Sequence, residues 1–201
     1  MEDELIQKIR RIYAAIELSE ETDIEQLIAK PIIDGKRVGF HQNWQGNLSD
    51  EQMTNIAFSI IDNIANLKDH LKKWTTNHGI NNKIVDACFE NSEPLKIIQD
   101  LSNNDKHGYP PRKKGHSKMA PLLRNIHRVM QLKPAPIKGS VVSMTFDKNG
   151  CPIVYGSGTK KVILTGEIVD SDNKIIGDFN KIASQAISDW EVFLAEIGIK
   201  Y

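Results

Sequence analysis

The hydrophobic pattern of this 201-residue chain changes its period at Gly139, and no other feature constrains the fold as strongly. Before Gly139, apolar residues recur about every three to four positions, the spacing of amphipathic helices. After Gly139, short segments alternate between apolar and polar residues, as half-buried strands do. We therefore predict an α+β fold. A mainly helical body of about four to six helices is followed by a small antiparallel β-meander of about three or four strands.

One long stripe of apolar residues dominates the helical body and runs from Met53 to Trp74 along a single helix face. Ser49 and Gln52 precede it with the spacing of a capping box, in which each side chain bonds a free backbone amide at the helix start. Further helices are predicted at the N-terminus, over about 22–29 and 84–89, from Ser92, and from Pro121 to about residue 133.

The residues after Gly139 form alternating segments separated by turns at 147–150 and 170–174. A last helix begins at Asp178, and its apolar stripe includes Trp190 and Phe193. A meander this small needs a cover on its apolar face, and this helix is the candidate for that cover. We expect two parts, residues 1–138 and 139–201, packed on each other as one unit.

The charge of the chain is concentrated, although its net charge is zero. The segment from Lys106 to Lys138 contains nine Lys and Arg residues and no Asp or Glu. Residues 1–105 have 18 acidic and 11 basic residues, and residues 139–201 have 8 and 6, so both flanks are negative. Such a segment attracts anions whatever the net charge of the protein. We call residues 106–138 the basic segment.

The basic segment contains a group of side chains suited to binding phosphate. A helix opened by Pro121 would place two arginines and a histidine on the face opposite its apolar stripe, and the loop before it has three further cations. The alternative is a solvated basic face that pairs with the chain's own acidic residues, and the sequence leaves both interpretations open. The predicted anion-binding residues are Arg112, Lys113, Lys114, Arg124, His127 and Arg128.

A second candidate group lies just before the loop. If the helix from Ser92 continues far enough, Asp100, Asn104 and His107 fall on one of its faces. A carboxylate, a carboxamide and an imidazole in that arrangement can orient a general acid–base histidine or bind a phosphate. The alternative is a helix end that frays into a turn, with His107 capping carbonyl groups near Gly108.

This polar run, ending in His107-Gly108 behind a long amphipathic helix, resembles HEPN-type helical domains, which are frequent in ribonucleases, toxins and phage-defence proteins. The resemblance covers about residues 50–130 and implies a ribonuclease with His107 as a catalytic residue. Nuclease members of that family have an Arg shortly before the His. Here Asp100 stands seven positions before His107, with no Arg between them. The resemblance therefore favours a non-catalytic relative.

Several other classes of protein are disfavoured. Gly156–Lys160 lacks the spacing of a phosphate-binding loop, and the turn at 170–174 lacks that of a calcium loop, so we predict no cofactor and no metal. The acidic N-terminus, the absence of a long apolar stretch and two unpatterned cysteines, Cys88 and Cys151, predict a cytoplasmic protein that does not enter a membrane.

The function predicted from the sequence is a non-enzymatic binding or regulatory module that engages nucleic acid or another polyanion through the basic segment. Two alternatives remain. One is a ribonuclease that uses His107, and the other is a structural module that binds a protein partner or a second copy through its helical body.

Overall fold

The computed structural model describes residues 4–21, 23–24, 27–35, 37–108 and 114–200. Within these ranges the chain forms five α-helices and seven β-strands, which confirms the predicted α+β class. The helices are α1 (Glu4–Ser19), α2 (Asp50–Asn77), α3 (Lys83–Asn91), α4 (Glu93–His107) and α5 (Phe179–Glu196). The strands are β1 (Lys30–Asp34), β2 (Arg37–His41), β3 (Leu122–Pro134), β4 (Val142–Phe146), β5 (Pro152–Gly156), β6 (Gly158–Val169) and β7 (Ile175–Asp178).

Three of the predicted helix starts, at Ser49, Ser92 and Asp178, are confirmed. At the start of α2, the Ser49 side chain accepts the backbone N–H of Gln52 (3.3 Å), and the Gln52 side chain accepts that of Ser49 (2.8 Å). Ser92 caps α4, and Asp178 caps α5 by accepting a backbone N–H (2.9 Å). Behind these caps, α1, α2, α4 and α5 bury their apolar stripes in one core, which includes Ile9, Ile61, Ile64, Leu71, Ile98 and Trp190.

The strands form three antiparallel sheets. The largest has the order β3–β6–β7, whereas β1–β2 and β4–β5 are separate two-stranded hairpins. Helix α5 packs against β6 and β7, with Phe179 and Trp190 in the same core as Leu164 and Ile168 of β6, so it covers this sheet as predicted. The strands after Gly139 are thus divided between two sheets, and β6 hydrogen-bonds to a strand that precedes Gly139.

The helix predicted from Pro121 is wrong, because residues 122–134 form strand β3. The strand contains a bulge between Arg124 and His127, where Asn125 has a φ of +49°. A bulge shifts the alternation of side chains, so apolar residues of one strand can recur at helical spacing. The long partner β6 decides the outcome by pairing along almost the whole of β3.

The helix predicted over 22–29 is also wrong, since the described residues of that range are not α-helical. Just before it, the backbone N–H of Glu21 donates to Val162 O (2.9 Å), and Glu21 O accepts the N–H of Val162 (2.8 Å). These two bonds join Glu21, just after the end of α1, to β6 as an antiparallel bridge, so the chain enters this range in an extended rather than a helical conformation.

Candidate functional site

A cavity of about 320 Å³ lies beside the C-terminal half of α4. Asp100, Asn103 and Asn104 form its helical wall, and Lys114, Gly115, His116 and Pro121 form the opposite wall. Helix α4 continues to His107 and ends at Gly108, whose left-handed conformation (φ +59°) suits a helix C-terminus. The predicted extension of this helix is confirmed, and the fold brings Asp100 and Asn104 together with Lys114.

Asp100 holds the segment 114–121 against the helix. Its side chain is 5 % exposed. One carboxylate oxygen accepts the backbone N–H of His116 (2.9 Å), and the other accepts the N–H (2.8 Å) and the hydroxyl (2.6 Å) of Ser117. Hydrogen bonds to an ionised acceptor are stronger than neutral ones, and three of them compensate the burial of the charge. Asp100 is therefore a structural anchor.

Two further contacts fix the same segment. A Cβ atom at Gly115 would lie 2.6 Å from the nearest oxygen of Asp100, so only glycine allows this close approach. At the other end, the Asn104 side chain donates to the carbonyl of Pro121 (3.2 Å). The segment from Gly115 to Pro121 is thus held against α4 near both of its ends.

The cavity wall that faces α4 is basic and polar. Lys114 and His116 are exposed, and the His116 ring packs edge-on against Phe89 with ring centroids 5.1 Å apart. Arg112 and Lys113, which directly precede Lys114, lie outside the described residues. Sequence reasoning missed His116, although its position in the same basic loop was a usable signal.

A more apolar depression of about 550 Å³ adjoins this cavity and shares Asn104 and Pro121 with it. Phe58, Leu122 and Leu123 contribute to its lining. A cation and amide groups therefore lie on one side of Asn104, and a mainly aromatic and aliphatic surface, to which the carboxylate of Asp105 is added, lies on the other.

His107 has a different position. It is the last residue of α4, it is exposed, and it is not among the described residues that line either depression. The bonds of the Asp100 carboxylate go to His116 and Ser117. Asp100 therefore holds the loop, and the geometry assigns it no part in orienting the imidazole of His107.

The described residues of the basic segment do not form one surface. Lys106 donates to the side chain of Asn66 (2.8 Å) and lies 3.5 Å from the carboxylate of Asp62, so one of its cations is paired within the chain. Arg124 is exposed on β3, but its register partner on β6 is Glu167, whose carboxylate accepts a bond from Asn125 (2.6 Å). This part of the segment therefore has acidic neighbours.

Arg128 is separated from the other predicted residues. His127 and Arg128 are adjacent in a strand, so their side chains point to opposite faces of the sheet. His127 is exposed, whereas Arg128 is partly buried and lines another cavity with residues of α1, α2 and the connection between them. The prediction that Arg124, His127 and Arg128 share one helix face is wrong, because the predicted helix is a strand.

Searches of protein-family models, curated proteins and solved structures give no match to this chain. The resemblance to HEPN-type domains therefore stays a prediction. Among the described residues, no helix is long and apolar enough to span a bilayer, and no group of three or more His, Cys, Asp or Glu side chains has the arrangement of a metal site.

Proposed function

We propose that the protein is a non-enzymatic module that binds nucleic acid or another polyanion through the loop that Asp100 anchors. The proposal rests on the difference between the two charged side chains that line the cavity, Asp100 and Lys114. Asp100 is occupied by three donors of its own loop, whereas Lys114 is exposed and has no ion pair of 4.0 Å or less in the described part of the chain. The carboxylate of Asp100 therefore has a structural role, whereas the ammonium group of Lys114 is available to bind a ligand.

The two adjoining depressions suit different parts of a nucleotide chain. Lys114 and the amide groups beside it can bind a phosphate, which accepts hydrogen bonds readily. Phe58 and Leu122 in the adjoining depression can contact a base or a sugar without reading its sequence. Arg112 and Lys113 add two cations next to Lys114 in the sequence. We expect phosphate-dominated binding with little sequence preference.

The same geometry disfavours a ribonuclease. Between Asp100 and His107 the sequence contains no Arg to stabilise charge on a scissile phosphate, and Asp100 has a structural role. His107 itself lies at the exposed end of α4 and is not among the residues that line the cavity beside Asp100.

Salt dependence of binding tests the proposal. Labelled single-stranded RNA and duplex DNA are titrated with the protein at 50 mM and 200 mM salt. Three contacts, from Arg112, Lys113 and Lys114, predict a slope of log affinity against log salt of about −2 on single strands and about −3 on duplex. Absence of binding at the lower salt, where the effect is largest, overturns the proposal.

Two controls accompany this titration. Lys83→Ala removes an exposed cation from α3, outside the basic segment, and we expect it to leave the affinity unchanged. Wild-type protein and His107→Ala are incubated with the same RNA. Cleavage by the wild type that His107→Ala abolishes contradicts the non-enzymatic assignment.

A further inference from the structure

Hydrogen bonds join the two walls of the cavity beside α4 at two points. At one point Asp100 accepts the backbone N–H of Ser117 (2.8 Å), and at the other the Asn104 side chain donates to Pro121 O (3.2 Å). The two helical residues are about one turn apart, roughly 6 Å along the axis. The segment from Ser117 to Pro121 is therefore joined to the helix at both of its ends, and an extended polynucleotide cannot be threaded between the two walls.

The size of this cavity suits one nucleotide unit better than a length of polymer. Its volume is about 320 Å³. Small-molecule sites range from about 300 to 1,000 Å³, so this cavity lies at the lower end of that range. A polynucleotide that occupies it is therefore expected to enter by one of its ends.

Three side chains that line the cavity keep donors without a partner among the described residues. Lys114 and His116 are exposed, and the ring of His116 contacts only the edge of Phe89. The amide oxygen of Asn103 accepts a bond from Gln99 (3.2 Å), whereas its NH₂ group is unbonded and open to solvent. An ammonium group, an imidazole and an amide can each donate to a different oxygen of one phosphate.

Two carboxylates determine where that phosphate can lie. Asp100 also lines the cavity, but it is 5 % exposed and both of its oxygens already accept bonds from the loop. Asp105 is exposed in the adjoining depression and repels a phosphate there. A phosphate is therefore favoured on the Lys114 side of Asn104, and an uncharged sugar and base on the other side.

We propose that the cavity beside α4 binds the terminal phosphate of a nucleic-acid strand, with the terminal nucleoside in the adjoining depression. The inference rests on the proposed polyanion binding and specifies which part of the polymer this site takes. A terminal phosphate has three free oxygens and a charge of about −1.5 to −2 near pH 7. A phosphate within the strand has two free oxygens and a single charge. The three donors of the cavity match the terminal group.

Four oligouridylates with the same number of phosphates test the proposal. Two are twenty-nucleotide strands with one phosphorylated end, either 5′ or 3′. The third is one nucleotide longer with hydroxyl ends, and the fourth is a twenty-nucleotide circle without ends. General attraction to the backbone is nearly equal for the four, so calorimetry at 50 mM salt isolates the contribution of the end. We expect a phosphorylated end to bind at least about fivefold more tightly than the last two, and the comparison of 5′ with 3′ identifies which end.

The failure of this proposal differs from the failure of the proposed function. Equal affinity of all four oligonucleotides overturns terminal recognition, while binding to a polyanion is retained. Absence of binding by all four overturns both.

A matched pair of variants assigns the preference to this cavity. Asn103→Asp keeps the size of the side chain but adds a carboxylate among the donors, and we expect it to remove the preference for the phosphorylated end. Asn55→Asp adds the same charge at an exposed position of α2 that lines neither depression, and we expect it to retain the preference. A preference that persists in Asn103→Asp overturns the assignment. If that variant does not fold, the four oligonucleotides on wild-type protein decide.

Discussion

Two charged side chains withdrawn from water, Asp100 on α4 and Arg128 on β3, are treated in opposite ways by this fold. Asp100 is almost completely buried, and three donors from the segment 114–121 surround its carboxylate. Arg128 is partly buried, yet its Nε–H meets no acceptor within the described residues. The first charge is compensated inside the chain and stabilises it. The second keeps one buried donor without a hydrogen bond, and the charge of Glu21 opposes the cost of burying the guanidinium only in part.

The difference shows which of the two charged residues stabilises the fold through its hydrogen bonds and which one leaves a buried donor unbonded. Removing a compensated buried charge leaves its partners unbonded and destabilises the protein, whereas removing an uncompensated one does not. Mutations therefore distinguish the two cases.

The largest expected effect is that of Asp100→Ala. It leaves two backbone amides and a hydroxyl without their acceptor, and we expect the free energy of unfolding to fall by about 2–4 kcal/mol. Asp105→Ala, an exposed acid in the last turns of the same helix, should change it by less than about 0.5 kcal/mol. Denaturant unfolding of both variants measures this difference, and equal stability of the two would refute the anchor role of Asp100.

The next effect tests the close approach of the loop to this carboxylate. Gly115→Ala should cost about 1–2 kcal/mol, because its Cβ atom has no room beside Asp100. Gly39→Ala is the matched control, since a Cβ atom there meets nothing within 4 Å. In the double variant Asp100→Ala/Gly115→Ala the clash is gone. The double variant should therefore lose less stability than the sum of the losses in the two single variants. If the two losses are additive in denaturant unfolding, the cost of Gly115→Ala does not come from a clash with Asp100.

Cys88 is a third case, in which a partly buried group stays in its uncharged form, the thiol. Burial, with the nearby Asp189 and Glu196, raises the pKa of its thiol to about 11. We expect Cys88 to react with iodoacetamide at pH 8 at least about tenfold more slowly than a small thiol peptide, because the thiolate is the reactive form. The unfolded thiol ionises at lower pH, so its ionisation favours unfolding as the pH rises from about 9 towards 11. Mass spectrometry of the time course measures the rate, and a rate equal to that of the peptide would contradict this picture.

The smallest expected effect is that of Arg128→Met. Because the guanidinium has no described acceptor, an apolar side chain of similar length should leave the free energy of unfolding unchanged or raise it by up to about 1 kcal/mol. Thermal unfolding of Arg128→Met is compared with that of Arg124→Met, an exposed position on the same strand. A loss of more than about 2 kcal/mol for Arg128→Met alone would mean that the fold itself compensates the charge.

The parts of this molecule that depend on local spacing could be predicted from the sequence. Ser49, Ser92 and Asp178 cap their helices as expected, and α4 reaches His107. β3 could not be predicted in this way, because the bulge at Asn125 gives a strand the apolar spacing of a helix.

The two charged sites depend on contacts that no local pattern contains. The partners of Asp100 lie 16 and 17 positions further along the chain, in a loop whose course the sequence does not specify. The cavity of Arg128 combines residues from α1, α2, the connection between them and β3. Lys114 and Arg128 both belong to the basic segment, and only the fold separates them.

That separation can be measured directly as the affinity for labelled single-stranded RNA at 50 mM salt, comparing Lys114→Ala with Arg128→Met. Loss of one phosphate contact should weaken binding about five- to tenfold in Lys114→Ala, whereas Arg128→Met, whose side chain faces another cavity, should bind within about twofold of wild type. Equal losses in the two variants, or no loss in Lys114→Ala, would contradict the assignment of polyanion binding to the loop that Asp100 anchors.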